Sequence, residues 1–331
     1  MRILVTGGSG YIGSHTVQAL LDAGHRPVVL DLRELPEGLR DHGVDVVIGD
    51  IRDPAAVGTA LRHGPIEAVI HLAAEKSVAA SMADPDRFFD VNVGGTETVL
   101  RGAVEAGVRA VVFSSSCAVY GTPDRLPIDE DSPLRPENPY GESKRRAEAL
   151  LEEFDRRRGV RSMSLRYFNA AGASADGRLG EDWRGAPNLL PIAVEAALGR
   201  RGPVEVYGGD HPTPDGSAIR DYVHVVDLAE AHVAAIEALQ RRGSSETLNL
   251  GTGRGTSVLE MLDVVGDAAG RGVPFRVVAR RPGDPSAVWA DPGRARAVLG
   301  WSARLDLKAI AASAVAWHRR GVGEPVPVAR V

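Results

Sequence analysis

Apolar residues in the first half of the chain fall into short, nearly unbroken runs separated by amphipathic stretches. Met1 to Val5 reads as a buried strand that runs into Thr6-Gly7-Gly8. His15 to Ala23 carries Val17, Leu20 and Leu21 at helical spacing and stops at Gly24. The same alternation predicts strands at Pro27–Leu30, Val44–Ile48, Ala68–Leu72 and Ala110–Ser114. It predicts helices at Pro54–Leu61, Asn92–Ala106 and 140–158. Strands alternating with helices of this length predict βαβ units and a parallel sheet. After about residue 170, Gly, Pro and Asp crowd 172–187 and 208–217. Val223–Ala238 and Leu248–Gly251 read as a helix and strand returning to the first part, with a strand at Phe275–Val278 and helices near 292–299 and 306–320. The expectation is an α/β chain: a Rossmann-type doubly wound parallel sheet with a smaller, interleaved α/β C-terminal substrate domain. Residues 1–169, with 221–250 returning, form the first domain; 170–220 and 251–331 form the second.

Composition narrows the class. At 331 residues, 44% hydrophobic and 25% charged, the chain resembles an ordinary globular protein able to bury a full core. A net charge of −5 argues against a nucleic-acid-binding surface. Cys117 is the single cysteine, which excludes an internal disulfide framework and a multi-cysteine zinc site. No leader precedes MRILVTGG and no apolar stretch reaches spanning length, so the expectation is a cytoplasmic protein with no membrane partner. Of 39 basic residues only Lys76, Lys144 and Lys308 are lysine. An ammonium in so arginine-rich a chain invites the question of what a guanidinium cannot do there.

The glycines of Gly7-Gly8-Ser9-Gly10-Tyr11-Ile12-Gly13 lie between the first strand and the first helix. Such a turn lets backbone approach a pyrophosphate, and the helix N-terminus offers it free N–H groups. Asp31 ends the second strand, where a carboxylate accepts from a ribose 2′-OH and repels a 2′-phosphate. That favours NAD over NADP, with Arg33 close enough to blur the preference. Asp50-Ile51 suits an adenine-contacting turn, the alternative being a plain turn acid.

Tyr140 and Lys144 stand four residues apart on one helix face. A phenol titrates near 10, and a nearby Lys⁺ and a nicotinamide cation both favour the phenolate. Glu142, Arg145, Arg146 and Glu148 read as the solvated face of that helix. Ser116 ends a strand where side chains face a ligand crevice, which makes it a candidate proton relay to Tyr140, or simply a strand-end cap. Cys117 reads as a small buried hydrophobe rather than a nucleophile. No metal-ligand cluster is expected.

TGGSGYIG, SSSCAVYG, YGESK and RYFNAAGA together resemble the extended short-chain dehydrogenase/reductase superfamily. PNLLP (187–191), VYGGDHPTPDGSAIRDYVHVVDL (206–228) and RRPGDPSAVWAD (280–291) narrow the resemblance to its UDP-glucose 4-epimerase family, from end to end. That resemblance implies tightly held NAD, a UDP-hexose bound between the domains, a homodimer, and Ser116, Tyr140 and Lys144 as catalytic residues. It adds Ala73, Lys76, Asn92, Ser114 and Tyr167, beside Tyr11, Ile12, Tyr140 and Lys144, to the cofactor set. Lys76, Ser116, Tyr140, Asn169, Asn188, Leu189, Tyr207, Arg220, Arg281, Asp284 and Val288 become the substrate set.

On residue chemistry alone several of these keep a second reading. Lys76 suits a solvated loop, Asn92 a helix cap, Arg220 an ion pair with Asp221, Arg281 a surface, and Leu189 and Tyr207 the core. Val288 stands where the family's residue size is associated with acceptance of N-acetylated sugars. The segment after Asp31 lacks the family's usual Asn, leaving the adenosine contacts there open. The stripe Ala147, Leu150, Leu151 and Phe154 reads as core or as part of an intersubunit bundle. Rival functions are a 4-epimerase of UDP-uronic acids or pentoses, a net NAD-dependent dehydrogenase, and a non-catalytic NAD-binding protein. A 4,6-dehydratase would need an Asp-Glu pair where Cys117 and Ala118 stand.

Overall fold

The computed structural model describes residues 1–320 apart from Trp183, Gly185 and Pro282; residues 321–331 of the expected second domain lie outside the described residues. The first half runs β1 (Arg2–Thr6), α1 (Tyr11–Asp22), β2 (Arg26–Asp31), α2 (Glu37–Arg40), β3 (Asp45–Ile48), α3 (Pro54–Leu61), β4 (Ala68–His71), α4 (Val78–Ala83), α5 (Pro85–Phe89), α6 (Gly95–Glu105), β5 (Ala110–Ser116), α7 (Pro139–Arg158) and β6 (Arg161–Tyr167). The second runs β7 (Asn169–Ala171), α8 (Leu189–Ala197), β8 (Val204–Tyr207), β9 (Ile219–Arg220), β10 (Tyr222–His224), α9 (Val225–Arg242), β11 (Glu246–Leu250), β12 (Thr256–Ser257), α10 (Val258–Ala269), β13 (Phe275–Val278), β14 (Ala287–Val288), α11 (Gly293–Leu299) and α12 (Leu307–Arg320).

Seven parallel strands form the main sheet in the order β3-β2-β1-β4-β5-β6-β11. The order reverses between β1 and β4, and that switch point opens a crevice at the carboxyl ends of the strands. One face is covered by α1 and α9 over Ile3, Val5, Val17, Leu20 and Ile236. The other is covered by α3, α6 and α7 over Leu4, Val57, Val69, Val111 and Leu151. Both faces being buried explains why these strands read as continuous apolar runs. A separate core of Leu190, Val194, Val206, Met261, Leu262 and Ile310 joins α8, α10 and α12. Small sheets accompany it: β13 beside β8, and β12-β9-β14. The returning strand, β11, pairs with β6 at the edge of the main sheet.

Most expected elements are present, and α8, α10 and β8 are among those added; three differences bear on the site and its supports. Helix α1 begins at Tyr11 rather than His15; Gly13 interrupts the apolar spacing but lies inside the first turn. The expected helix from Asn92 starts as a π-helical turn, Asp90–Gly94, and becomes α-helical at Gly95. Strand β6 was not expected: Met163 and Leu165 alternate with Ser164 and Arg166, yet all four are buried. The stripe on α7 packs inward: Ala147 and Leu151 are buried, with Leu150 and Phe154 against the same core.

Candidate active site

The glycine turn is shaped by backbone crowding. Gly7 has φ +74°, and a Cβ there would lie 2.6 Å from the Ala73 nitrogen. A Cβ on Gly13 would lie 2.0 Å from the Gly7 carbonyl oxygen. Neither position admits a side chain. Gly10 is the N-cap of α1 and contributes no capping side chain, and the first turn holds no acid. The leading N–H groups, at Tyr11, Ile12 and Gly13, are therefore left for an anion. The Tyr11 hydroxyl donates to the Gly172 carbonyl at 2.6 Å, tying the turn to the second half of the chain.

Asp31 ends β2 beside this turn, its two oxygens accepting from the Ser9 N–H at 3.0 Å and the Arg33 N–H at 3.1 Å. Burial pushes its carboxyl up, and the backbone donors oppose that. Asp50 is held differently: Arg52 grips it at 2.6 Å and reaches Asp90 at 2.7 Å, which keeps the Asp50 carboxyl below its ordinary value. Ile51 lies buried against Gly95. Ala73 closes over Gly7, its N–H 3.4 Å from the Thr6 hydroxyl. Asn92 is buried and engaged with protein groups. It accepts from the Glu75 N–H at 2.8 Å and donates to the Glu75 carbonyl at 3.0 Å and to the Ser143 hydroxyl at 2.9 Å. Its two bonds to Glu75 hold the loop that carries Lys76, and its bond to Ser143 ties that loop to α7.

At the end of β5, Ser116, Tyr140 and Lys144 come together. Asn138 caps α7 through the Gly141 N–H at 2.9 Å, with Pro139 in the first turn. Gly141 presses on the Ala118 carbonyl, so the helix starts against the strand end. Tyr140 is set beside Ser116 there; burial pushes the phenol up to about 12, against the pull of the Ser116 hydroxyl. Lys144 is 3% exposed. Its ammonium donates to the Ser114 carbonyl at 2.9 Å and sits 5.0 Å from the Phe113 ring centre. Burial draws it down to about 8, with Glu148 opposing. The Ser114 hydroxyl bonds to Tyr167, whose phenol burial also raises.

One expectation for α7 is corrected. Glu142, Arg145 and Arg146 do form a surface ion-pair cluster, but Glu148 is buried. It takes the Arg166 guanidinium at 2.6 Å and 2.9 Å and is bonded by Ser115. A carboxylate this deep needs such partners, and the guanidinium comes from a strand, β6, that the pattern had not disclosed. Cys117 packs against Val119, Tyr120 and Val288, and burial pushes its thiol up to about 12, which suits an inert side chain.

The remaining expected substrate residues, apart from Lys76, belong to the second half of the chain. Arg220 lies on β9 with Val288 in register beside it on β14. It pairs with Asp284 and donates to the Ile219 carbonyl. The alternative pairing with Asp221 is not formed. That buried carboxylate instead accepts from the N–H groups of Thr252, Gly253 and Ala290 and from the Thr252 hydroxyl. The Arg281 guanidinium stacks 3.6 Å over the Tyr207 ring, whose hydroxyl donates to Glu205 at 2.9 Å. Asn169 is exposed on β7, Leu189 is half-buried against the α8 core, and Val288 is buried among Val119, Tyr120, Ile128 and Phe168.

Lys76 and Asn188 meet at a residue that sequence reasoning missed. Glu181 accepts from the Asn188 amide at 2.9 Å and lies 3.4 Å from the Lys76 ammonium. No local spacing signals this, since Lys76 is 105 positions away.

Residues 3–251 match the model of the NAD dependent epimerase/dehydratase family. The chain belongs to this family. Among its members, the UDP-glucose 4-epimerase of Rhizobium meliloti (strain 1021) is 47% identical over 321 residues, covering 96% of this chain and 97% of that protein. That of Bacillus subtilis (strain 168) is 42% identical over 332 residues, covering 97% and 98%. The Bifidobacterium longum enzyme, solved in complex with NAD+ and UDP, superposes with a TM-score of 0.92 at 40% identity, covering 97% of this chain and 99% of that one. The Brucella ovis enzyme in complex with NAD gives 0.92 at 45% identity over 95% and 97%. The protein is an NAD-dependent enzyme of the epimerase class. Among the described residues, no helix is long and apolar enough to cross a membrane.

Proposed function

We propose that the chain interconverts UDP-glucose and UDP-galactose by epimerisation at C4 of the hexose. One observation carries this reading: Ser116, Tyr140 and Lys144 converge at a strand end, in a chain alike to UDP-glucose 4-epimerases over nearly its whole length. NAD fits the residues present. The side-chain-free cradle of Gly7, Gly10 and Gly13 suits its pyrophosphate, and Asp31 suits the adenosine ribose. When bound, it supplies reversible hydride acceptance for transient oxidation at C4.

The chain's own groups handle the proton. Tyr140 takes it from the sugar 4-OH, with Ser116 bridging, and returns it after the sugar has turned over. In the free protein the phenol is protonated at neutral pH, since burial holds it near 12. A cation is needed to bring it into range, and Lys144 is the buried one nearby. Ser114 fixes that ammonium through its carbonyl and orders Tyr167 through its hydroxyl. On the far wall Arg220 and Arg281 suit a diphosphate. Holding the diphosphate firmly and the hexose loosely lets one pocket present either face of the sugar.

The test is incubation with UDP-galactose alone and no added cofactor. Appearance of UDP-glucose supports the reading; unchanged UDP-galactose overturns it. Reduced-cofactor turnover with free NAD⁺ would favour a net dehydrogenase. Val288 is intermediate between the large residue that goes with UDP-glucose and UDP-galactose alone and the small one that goes with N-acetylated sugars, so we also propose slower turnover of UDP-N-acetylglucosamine, read in the same assay. The division into 1–169 with 221–250 and the remainder is proposed as a cofactor unit and a sugar unit. The helical stripe packs into the core, so a homodimer rests on the resemblance alone, and the mass in solution tests it; fractionation tests a cytoplasmic location.

A further inference from the structure

Glu181 is 9% exposed. Its carbonyl accepts from the Trp317 indole at 2.9 Å, and the preceding Gly180 lies so close under that ring that a Cβ would sit 2.4 Å from it. The residue is thus pinned to α12, and its carboxylate is held in place rather than free to swing. Two donors from opposite sides of the cleft converge on one of its oxygens, Oε1. Lys76, from the cofactor side, has a fixed backbone, because Asn92 clamps the neighbouring Glu75, but its side chain is 65% exposed. Its ionic partner is Glu181. Asn188, from the sugar side, stands at the N-cap of α8 and makes no capping bond there. An asparagine at that position ordinarily caps its own helix. Here the amide donates to Glu181 at 2.9 Å instead. The Tyr11 ring of the glycine turn also feels this charge, which adds to the upward push on its phenol.

We propose that Glu181 is a positioning residue that couples Lys76 to Asn188 across the cleft, so that the cofactor side and the sugar-nucleotide side are organised together. The assignment rests on the proposed function for the identity of the two ligands, and on geometry alone for the coupling. A carboxylate at the junction keeps the lysine and the amide poised at one point. Without it each donor turns to water, and ordering them becomes part of the cost of binding.

The experiment compares Glu181→Ala and Glu181→Gln in the protein as purified with its cofactor. Glutamine keeps an oxygen that can accept from both donors, whereas alanine keeps none. In Glu181→Ala, KM for UDP-galactose should rise roughly 3–10-fold, the equivalent of one hydrogen bond, with kcat changed by less than about threefold. The rise in melting temperature caused by UDP should shrink in parallel, and Glu181→Gln should recover most of both. An unchanged KM and UDP response in Glu181→Ala would overturn the proposal. So would a loss confined to kcat and to unliganded stability, the pattern of a merely structural residue. If the parent protein fails to epimerise, the functional reading falls, while the UDP-induced shift still decides the role of Glu181.

Discussion

At the nucleotide end of the cleft the surface is backbone. Gly7 and Gly13 bring main chain so near to main chain that a methyl group has no room, and Asp31 is fastened to the same turn by N–H groups. At the proposed sugar-diphosphate end the surface is long side chains bonded to one another: Arg220 to Asp284, Arg281 over Tyr207, Asn188 to Glu181. The first end is preformed. The second must exchange internal partners for those of a ligand, so part of its binding free energy goes into replacing bonds that already exist. One wall is thereby suited to holding a cofactor through many turnovers and the other to releasing a product.

The most severe test of that contrast is Gly13→Ala. Its methyl would overlap the Gly7 oxygen, and either the turn or the start of α1 must move. The expected penalty exceeds about 4 kcal/mol, the range of gross steric conflict. The protein should purify without nucleotide and melt markedly lower; normal cofactor absorbance would show that the cradle yields. Next is Tyr140→Phe, at the junction of the two ends. Loss of the phenol should lower kcat about 10²–10⁴-fold while bound cofactor is retained, checked by absorbance alongside the UDP-galactose assay.

Acid should weaken both ends together. His71 is buried between the hydroxyls of Thr6 and Thr96 under the cofactor side, and burial holds it down at about 3. His224, bonded to Ser313 of α12, is held at about 4, as is the core residue His232. Each is neutral when folded and takes its proton first in the unfolded chain. The stability that this neutrality protects is therefore present above about 6.5 and lost as pH falls from there toward 4. The slope is about 1.4 kcal/mol per pH unit for each histidine. Denaturant unfolding at pH 7.5 and pH 5.5 checks it. Equal stability would mean that these imidazoles find partners when charged.

Legibility in the sequence follows the same contrast. The preformed end announces itself locally: glycines in a strand-turn-helix context and an acid at the next strand end belong to a few dozen consecutive residues, and their spacing carries the reason for them. Tyr140 and Lys144 are legible likewise, because four positions on a helix are adjacent in space. What escaped depends on partners far along the chain. Glu148 looks like one more surface acid until Arg166 arrives on β6 to neutralise it. Asn92 reads as a ligand residue or a cap, and its amide also ties the Glu75 carbonyl to the Ser143 hydroxyl, 51 positions away on α7. Glu181 carries no spacing signal for its lysine partner, since Lys76 lies 105 positions away.

The mildest change separates the two ends most cleanly. In Arg281→Lys the charge survives but the planar guanidinium over Tyr207 is lost. At a partly exposed site such a stack contributes about 0.5–1 kcal/mol, so folding stability should barely move. A point charge cannot offer the two parallel donors that a diphosphate accepts, and KM for UDP-galactose should rise roughly 3–10-fold, the effect of about one hydrogen bond. Cofactor content and kcat should stay near the parent values, because among the described residues no bond links Arg281 to the glycine turn. If instead the variant sheds its nucleotide, the preformed end is not independent of the adaptable one. The coupling assigned to Glu181 would then extend along the whole wall rather than through one carboxylate.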